Sequence, residues 1–337
     1  MTDTKKAKNN IFGCILTDVA PASLYRGETQ ASRSILQKLT FPDKESYTVI
    51  SAEAIRNRLR EMLLEDVPEK VNRLRLKDRK QLTVMYQHLP DAAKHIDDLL
   101  FGFLMIDTKK SEEATAKQWD TILRVNYAVS LDPFPRHNNK TMHQSPNIEG
   151  AFSNASSSAI IEREVHVTAY QYPFGLNLID LTKVPGYEQS TDVDKAEKKR
   201  WVALLLGAIS ELSFPAGNHA RTMFPFGPVS IVLRLTSRRT PDFDLYGFKP
   251  DSTRSHSELF SLLKENQLQR DEFYIGGRIA RENKAELKEY GAFRDENGKP
   301  KEGRVNLFET SAQAIEALIQ DSGLLPEGKS KQNEKEG

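Results

Sequence analysis

The stretch 51–64, SAEAIRNRLREMLL, constrains this chain more than any other. Neither Gly nor Pro interrupts it, Ser51 stands where an N-cap belongs, and Glu53 sits in the first turn, where a negative charge suits the helix dipole. Ile55, Leu59, Met62 and Leu63 fall on one stripe at about 100° per residue, which predicts an amphipathic helix laid against a core. Arg56 and Arg60 lie along one flank of that stripe and Arg58 along the other. Arginines beside an apolar stripe are ordinarily just solvated, so their role depends on what the rest of the chain supplies.

Residues 11–19 predict a first strand. Residues 20–46 are polar, are punctuated by Pro and Gly, and carry Arg26, Arg33 and Lys38; they read as a long binding loop. A short strand at 47–50 feeds the helix. Residues 65–117 are irregular and hold the basic run Arg73, Arg75, Lys77, Arg79 and Lys80, followed by an apolar burst at 99–106. Residues 121–131 alternate, with Leu123, Val125, Tyr127, Val129 and Leu131 on one face, as in a half-buried strand. The Pro-, Asn- and Ser-rich segment 132–158 predicts a protruding arm. Strands follow at 164–172 and 175–181, separated by a break at Pro173 to Gly175. A second helix at 192–212 carries Trp201, Leu204, Leu205, Ala208 and Leu212, and the loop GNHAR leads from it to an alternating strand at 229–236. A helix at 255–268, a strand at 273–279 whose Gly pair marks a bulge or close backbone approach, and a last helix at 310–318 complete the pattern. From residue 326 onward, composition predicts a disordered tail. Strands interleaved with two strong helices suit an α+β fold in which helices cover one face of a largely antiparallel sheet. The ferredoxin-like βαββαβ arrangement of RNA-recognition modules is one such fold.

The 48 basic and 47 acidic side chains cancel to +1, so any case for a nucleic-acid partner must be local. No apolar run approaches the ~20 residues that span a bilayer, and the N-terminus lacks the apolar core of a secretory signal, which predicts a soluble, cytoplasmic protein without a membrane partner. Cys14, the single cysteine, excludes an intramolecular disulfide and a multi-cysteine zinc site and reads as a core residue. His88 and His95 are not an i, i+4 pair, and His137 and His143 lack neighbouring carboxylates, so no metal is expected. Nor is a cofactor, since no Walker or GxGxxG loop occurs, and no GxSxG elbow supplies a nucleophile. His166, between Val165 and Val167, is expected to face away from the core; with His219 it is the only histidine placed for acid–base work. Gly217, Asn218, His219 and Arg221 suit an anion-holding loop, although a plain helix C-cap fits Gly217 equally. A nucleic-acid groove needs Arg26 and Arg33, Arg56 and Arg60, the run 73–80 and Arg221 to converge from separate elements, with apolar groups beside them.

Four stretches, VISAEAIRNRLREML, DDLLFGFLMID, IEREVHVTAYQYPFGLNL and GNHAR, in this order and spacing, resemble the backbone subunit of type I CRISPR interference complexes (Cascade), in the DevR or autoregulator branch typical of type I-B systems. The resemblance spans about residues 8–280. It implies a modified RNA-recognition (ferredoxin-like) palm at 8–64 and 120–282, a helical fingers insertion at 65–119 and a thumb at 132–158, with 237–254 as the rival thumb; 283–325 is then a C-terminal extension and 326–337 a tail. It also implies several copies along a CRISPR guide RNA, pairing of that guide with target DNA, and other Cascade subunits as partners. Guide phosphates would be held by Arg26 and Arg33, by Ser51, Arg56 and Arg60, and by Gly217, Asn218, His219 and Arg221. Met142, Ile148 and Phe152 would be the wedge candidates of the thumb. Related RNA-cleaving subunits of type III complexes use an aspartate in the first loop; here Asp18 and Glu28 are the only acids near, and neither occupies an equivalent position, so no cleavage is expected. The alternatives are a metal-independent endoribonuclease using His166 or His219, and a transcriptional or developmental regulator, for which no helix-turn-helix pattern is evident.

Overall fold

The computed structural model describes residues 7–22, 25–30, 33–78, 81–106, 116–135, 140–144, 160–181, 195–215, 224–249, 256–294 and 298–325. Its frame is a ten-stranded sheet. In chain order the strands are β1 (Asn10–Leu16), β2 (Lys38–Thr40), β3 (Ser46–Ile50), β4 (Leu123–Val125), β5 (Ala128–Ser130), β6 (Tyr170–Asn177), β7 (Ser230–Thr236), β8 (Phe273–Gly277), β9 (Gly291–Phe293) and β10 (Val305–Phe308). They are arranged β9-β10-β8-β7-β1-β6-β5-β3-β2, with β4 also paired to β6. The helices are α1 (Ala52–Asp66), α2 (Ile96–Phe101), α3 (Lys195–Ser210), α4 (Ser257–Lys264), α5 (Arg278–Glu282), α6 (Lys284–Tyr290) and α7 (Ser311–Asp321).

At the centre, β7, β1, β6 and the β4–β5 row are antiparallel neighbours. With α1 after the first of these strands and α3 after the third, this is the connectivity and strand order of the βαββαβ arrangement. Both faces are covered. Ile11 and Ile15 of β1, Tyr172 and Phe174 of β6, and Ile231 and Leu233 of β7 share a core with α1, α3 and α7. Cys14 and Leu16, Val232, Ile275 and Leu307 share the opposite core with α4, α5 and α6. Hence every residue of β7 is buried, where an alternating strand was expected. Central strands sandwiched between two layers lose the polar half of their alternation.

Local chemistry explains the details. Gly13 is a glycine because a Cβ there would come 2.2 Å from the Phe174 ring stacked across the sheet. The expected break at Pro173 to Gly175 does not occur: β6 runs straight through both. The irregularity falls instead on its neighbour, where residues 126–128 stand opposite 172–173, a bulge beside the proline that cannot donate a ladder hydrogen bond. That bulge divides the predicted strand 121–131 into β4 and β5, and residues 128–131 are all buried, so the expected alternation ends there. At the end of β8, Gly277 has φ +85° and a Cβ there would come 2.1 Å from the Val229 carbonyl oxygen, the close approach that the Gly pair predicts; the chain turns there into α5 instead of continuing as strand to 279. Thr310 caps α7 in a reciprocal capping box with Gln313.

Among the described residues, the insertion between α1 and β4 is mostly strand and not the helical unit expected. It holds two antiparallel hairpins, Arg73–Asp78 with Gln81–Tyr86 and Phe103–Ile106 with Ala116–Trp119, and the six-residue α2. Leu74 and Leu76 alternate with Arg73, Arg75 and Lys77, a period of two that suits a strand and no helix. The predicted long loop after β1 likewise consists of short strands, Ala20–Ala22, Tyr25–Gln30, Arg33–Leu36 and β2. The rival thumb segment begins as packed structure: Arg234, buried in β7, pairs with Asp242 and Glu272, while Phe243 and Phe248 are buried.

Candidate nucleic-acid interface

Three of the segments expected to hold phosphates meet at one end of the central sheet. Leu16, the last residue of β1, stands between Gln171 of β6 and Ser230 of β7. At this end α1 begins, its first turn capped by Ser51, whose hydroxyl accepts a hydrogen bond from the Ala54 N–H at 3.2 Å. Here too α3 ends, and the chain leaves at Ser213 and returns at Pro225 through a bridge between the two. The Nε of Arg58 donates to the Ser213 carbonyl at 3.0 Å, which ties α1 to the base of that loop. A second tie is buried: the Thr48 hydroxyl lies 2.8 Å from the Tyr170 hydroxyl, and the Tyr170 ring packs on Phe224 and Phe226. Gly217, Asn218, His219 and Arg221 lie outside the described residues, as do Ile148 and Phe152, but both stems of the loop that carries the first four are fixed beside the start of α1.

The segments that read as separate loops in the sequence are joined. Lys140–Gln144, Ile160–Glu164, Arg33–Leu36 and Tyr25–Gln30 form one four-stranded sheet. In its register Met142 stands opposite Glu162, and Glu162 opposite Arg33, while Arg26 lies on the outermost strand. A wedge candidate and a phosphate candidate thus lie in one cross-strand row, with a single strand between them. The buried carboxylate of Glu164 locks this sheet to the main one, accepting from the Leu36 N–H at 3.0 Å and pairing with Lys38, whose ammonium lies 4.2 Å from the Phe134 ring centre.

The three arginines of α1 part company. Ile55, Leu59 and Leu63 are buried and Met62 packs beside them, so the helix faces the core as its stripe predicts. Arg56 pairs with Glu53 one turn back, at 3.3 Å. Arg58 is held by Ser213, Glu61 and Glu65. Arg60 turns toward the insertion: its side chain is 12% exposed, its Nε lies 3.6 Å from an Asp97 oxygen, and its guanidinium stacks 4.6 Å from the Phe101 ring centre. Burial, then the charge of Arg73, pushes its pKa down to about 10.

His166 is a correction. It is 2% exposed and Val167 is 53% exposed, so the strand faces the other way from the sequence expectation. Alternation reveals two faces but not which is covered; here Thr48, at 2.8 Å from Nδ1, and the edge of Phe134 cover the histidine side. Burial lowers its pKa, keeping the ring neutral. Asp18, just past β1, pairs with Arg278 at 3.1 Å. Arg278 went unnoticed in the sequence because nothing local marks a residue 260 positions away as a neighbour. Phe214 was also missed: at the stem of the 213–225 loop it adopts φ +51° and is 40% exposed, an apolar surface at the base of that loop. Its only sequence signal is an aromatic directly before Pro215 at a helix end. His88 and His95, dismissed on spacing, stack with ring centres 5.7 Å apart, yet among the described residues no group of three or more His, Cys, Asp or Glu is arranged to hold a metal. Among them also, no helix is long and apolar enough to cross a membrane.

No family model matches the chain. A protein of Myxococcus xanthus (strain DK1622) described as "CRISPR-associated protein Cas7/Cst2/DevR" is 30% identical over 291 residues, which cover 83% of this chain and 90% of the relative. Among solved structures, a chain of a "CRISPR RNA-guided surveillance complex, pre-nicking" matches with a TM-score of 0.55 at 11% identity, over 93% of this chain and 100% of its own. Another, from a "CRISPR RNA-guided surveillance complex", matches with a TM-score of 0.52 at 11% identity, over 93% and 99%. At that identity the structural likeness speaks for the fold alone.

Proposed function

The chain belongs to the CRISPR-associated Cas7/Cst2/DevR family, and from that premise we propose that it is a non-catalytic backbone subunit of a Cascade effector complex, binding CRISPR guide RNA, polymerising along its spacer and presenting it for pairing with target DNA. The observation that carries this reading is the meeting of the strand after β1, the capped start of α1 and the stems of the 213–225 loop at one end of the sheet. Phosphate binding needs donors from several elements in one place, and none of these segments would serve alone. In this reading the central sheet with α1 and α3 is the palm, residues 65–119 are the fingers and 132–158 the thumb, whose root strands share a sheet with Arg26 and Arg33. Arg26, Arg33, Ser51, Arg56, Arg60, Gly217, Asn218, His219 and Arg221 hold the guide, and Met142, Ile148 or Phe152 interrupts its base pairing. An endoribonuclease reading is disfavoured by His166, whose buried ring leaves no path to a substrate hydroxyl.

Purification of the chain with its operon partners tests the proposal. RNA that co-purifies and survives nuclease as a ladder with a regular step is expected. Complexes lacking this chain that still protect the full spacer would refute it, as would specific cleavage of repeat RNA by the pure protein that is abolished by His219→Ala.

A further inference from the structure

At the root of the insertion, two arginines come close to each other beside a carboxylate that is already engaged. Arg60 comes from α1 and Arg73 from the first strand of the insertion, and the Nε of each is buried without a hydrogen-bond partner. Each guanidinium lies over an aromatic ring, Arg60 on Phe101 at 4.6 Å and Arg73 on Tyr86 at 5.8 Å. Asp97 lies 3.6 Å from the Arg60 Nε, longer than a hydrogen bond. Its two oxygens accept the main-chain N–H groups of Asn72 and Arg73 at 2.8 and 2.9 Å. The next carboxylate, Asp98, accepts from the Asn72 side chain and the Asp91 N–H, and burial raises its pKa. The two arginines are also near enough for Arg73 to depress the pKa of Arg60. Like charges packed in a half-buried place, with donors unused, are costly unless an anion joins them.

We infer that Arg60 and Arg73 form a clamp for one phosphodiester of a single-stranded polynucleotide, with Phe101 and Tyr86 as the shelves that hold the two guanidinium forks in place. The stacked fork is the geometry that recognises phosphate in two-point fashion, which a lysine does not reproduce. The clamp rests on the guide-binding reading above and adds to it an element of the insertion, so that the strand is gripped from α1 and from the fingers at once. The phosphate belongs either to the guide or to the strand paired with it.

The test uses the full chain and a labelled single-stranded RNA, followed by fluorescence anisotropy across a salt series. Arg73→Gln and Arg60→Gln are each expected to weaken binding about tenfold, the loss of one charged hydrogen-bonding group. Each should lower the slope of log affinity against log salt by about 0.7. Arg73→Lys should keep the slope and still lose affinity, which a merely structural brace would not do. A parallel arm loads the complex with guide and measures capture of complementary DNA: weakening there alone assigns the phosphate to the paired strand. Binding unchanged in both arms by Arg73→Gln, in a variant that melts like the wild type, overturns the clamp and leaves the guide-binding reading intact. A wild-type chain that binds no RNA overturns that reading itself, and the clamp with it.

Discussion

His256 shows how much a single buried ring governs. Its side chain has no exposed surface, packs against Phe243 and Phe248, and lies so close under Gly247 that a Cβ there would come 1.9 Å from its Cε1. Burial pushes its pKa down to about 4, with Lys249 adding to the effect and Asp244 opposing it. The unfolded chain takes up this proton near pH 6.5, the folded chain only near pH 4. The histidine therefore costs nothing above about pH 6.5 and removes about 3 kcal/mol of stability as pH falls to 4. Urea midpoints measured at pH 7 and 4.5 should differ by less in His256→Phe than in the wild type, and an equal acid loss in both would contradict this account. Cys14 was legible as a core residue because a thiol amid Ile and Leu on a strand has few other places to go; it is fully buried, its thiol donating to the Leu245 carbonyl. The burial of His166 was not legible, since the groups that cover it come from residues 48 and 134.

At the scale of the element, α1 is where local signals suffice. Cap, first-turn acid and apolar stripe all lie within fifteen residues, and the buried Ile55, Leu59 and Leu63 contribute about 1.5–3 kcal/mol each. The flanks needed the fold: one faces the insertion through Arg60 and Asp97, the other the stem at Ser213. On the proposed function, Arg56→Gln and Arg60→Gln should weaken RNA binding more than Arg58→Gln, whose effect should fall on thermal stability, about 1 kcal/mol for its carbonyl tie. Anisotropy titrations beside melting curves check this, and the reverse order would mean that the other flank faces the strand. The first hairpin of the insertion escaped notice for a clear reason. Between the paired Asp78 and Gln81 the sequence offers only Arg79 and Lys80, with no Gly or Asn to signal a hairpin.

At the scale of the molecule, the order of elements gave the α+β class and the central arrangement, because consecutive segments of fixed period leave few ways to build a sheet. The second layer of helices was beyond reach. α4 to α6 are short, and nothing in residues 257–290 indicates which side of the sheet they take. Their position alters what the sheet can offer. An open-faced RNA-recognition module stacks bases on its exposed strands, and here that face is occupied by Val232, Ile275, Leu307 and the helices packed on them. Contacts to phosphates position a strand and carry no sequence information. Single-stranded RNAs of one length and unrelated sequence should accordingly bind within about threefold of one another, as sequence-tolerant binders do. A strong preference for one sequence, measured by competition, would exclude this. On the proposed function, the sealed face thus fixes a property that no single residue carries: a holder indifferent to the letters of its strand accepts any message of suitable length, and the choice of target would pass wholly to whatever supplies the guide.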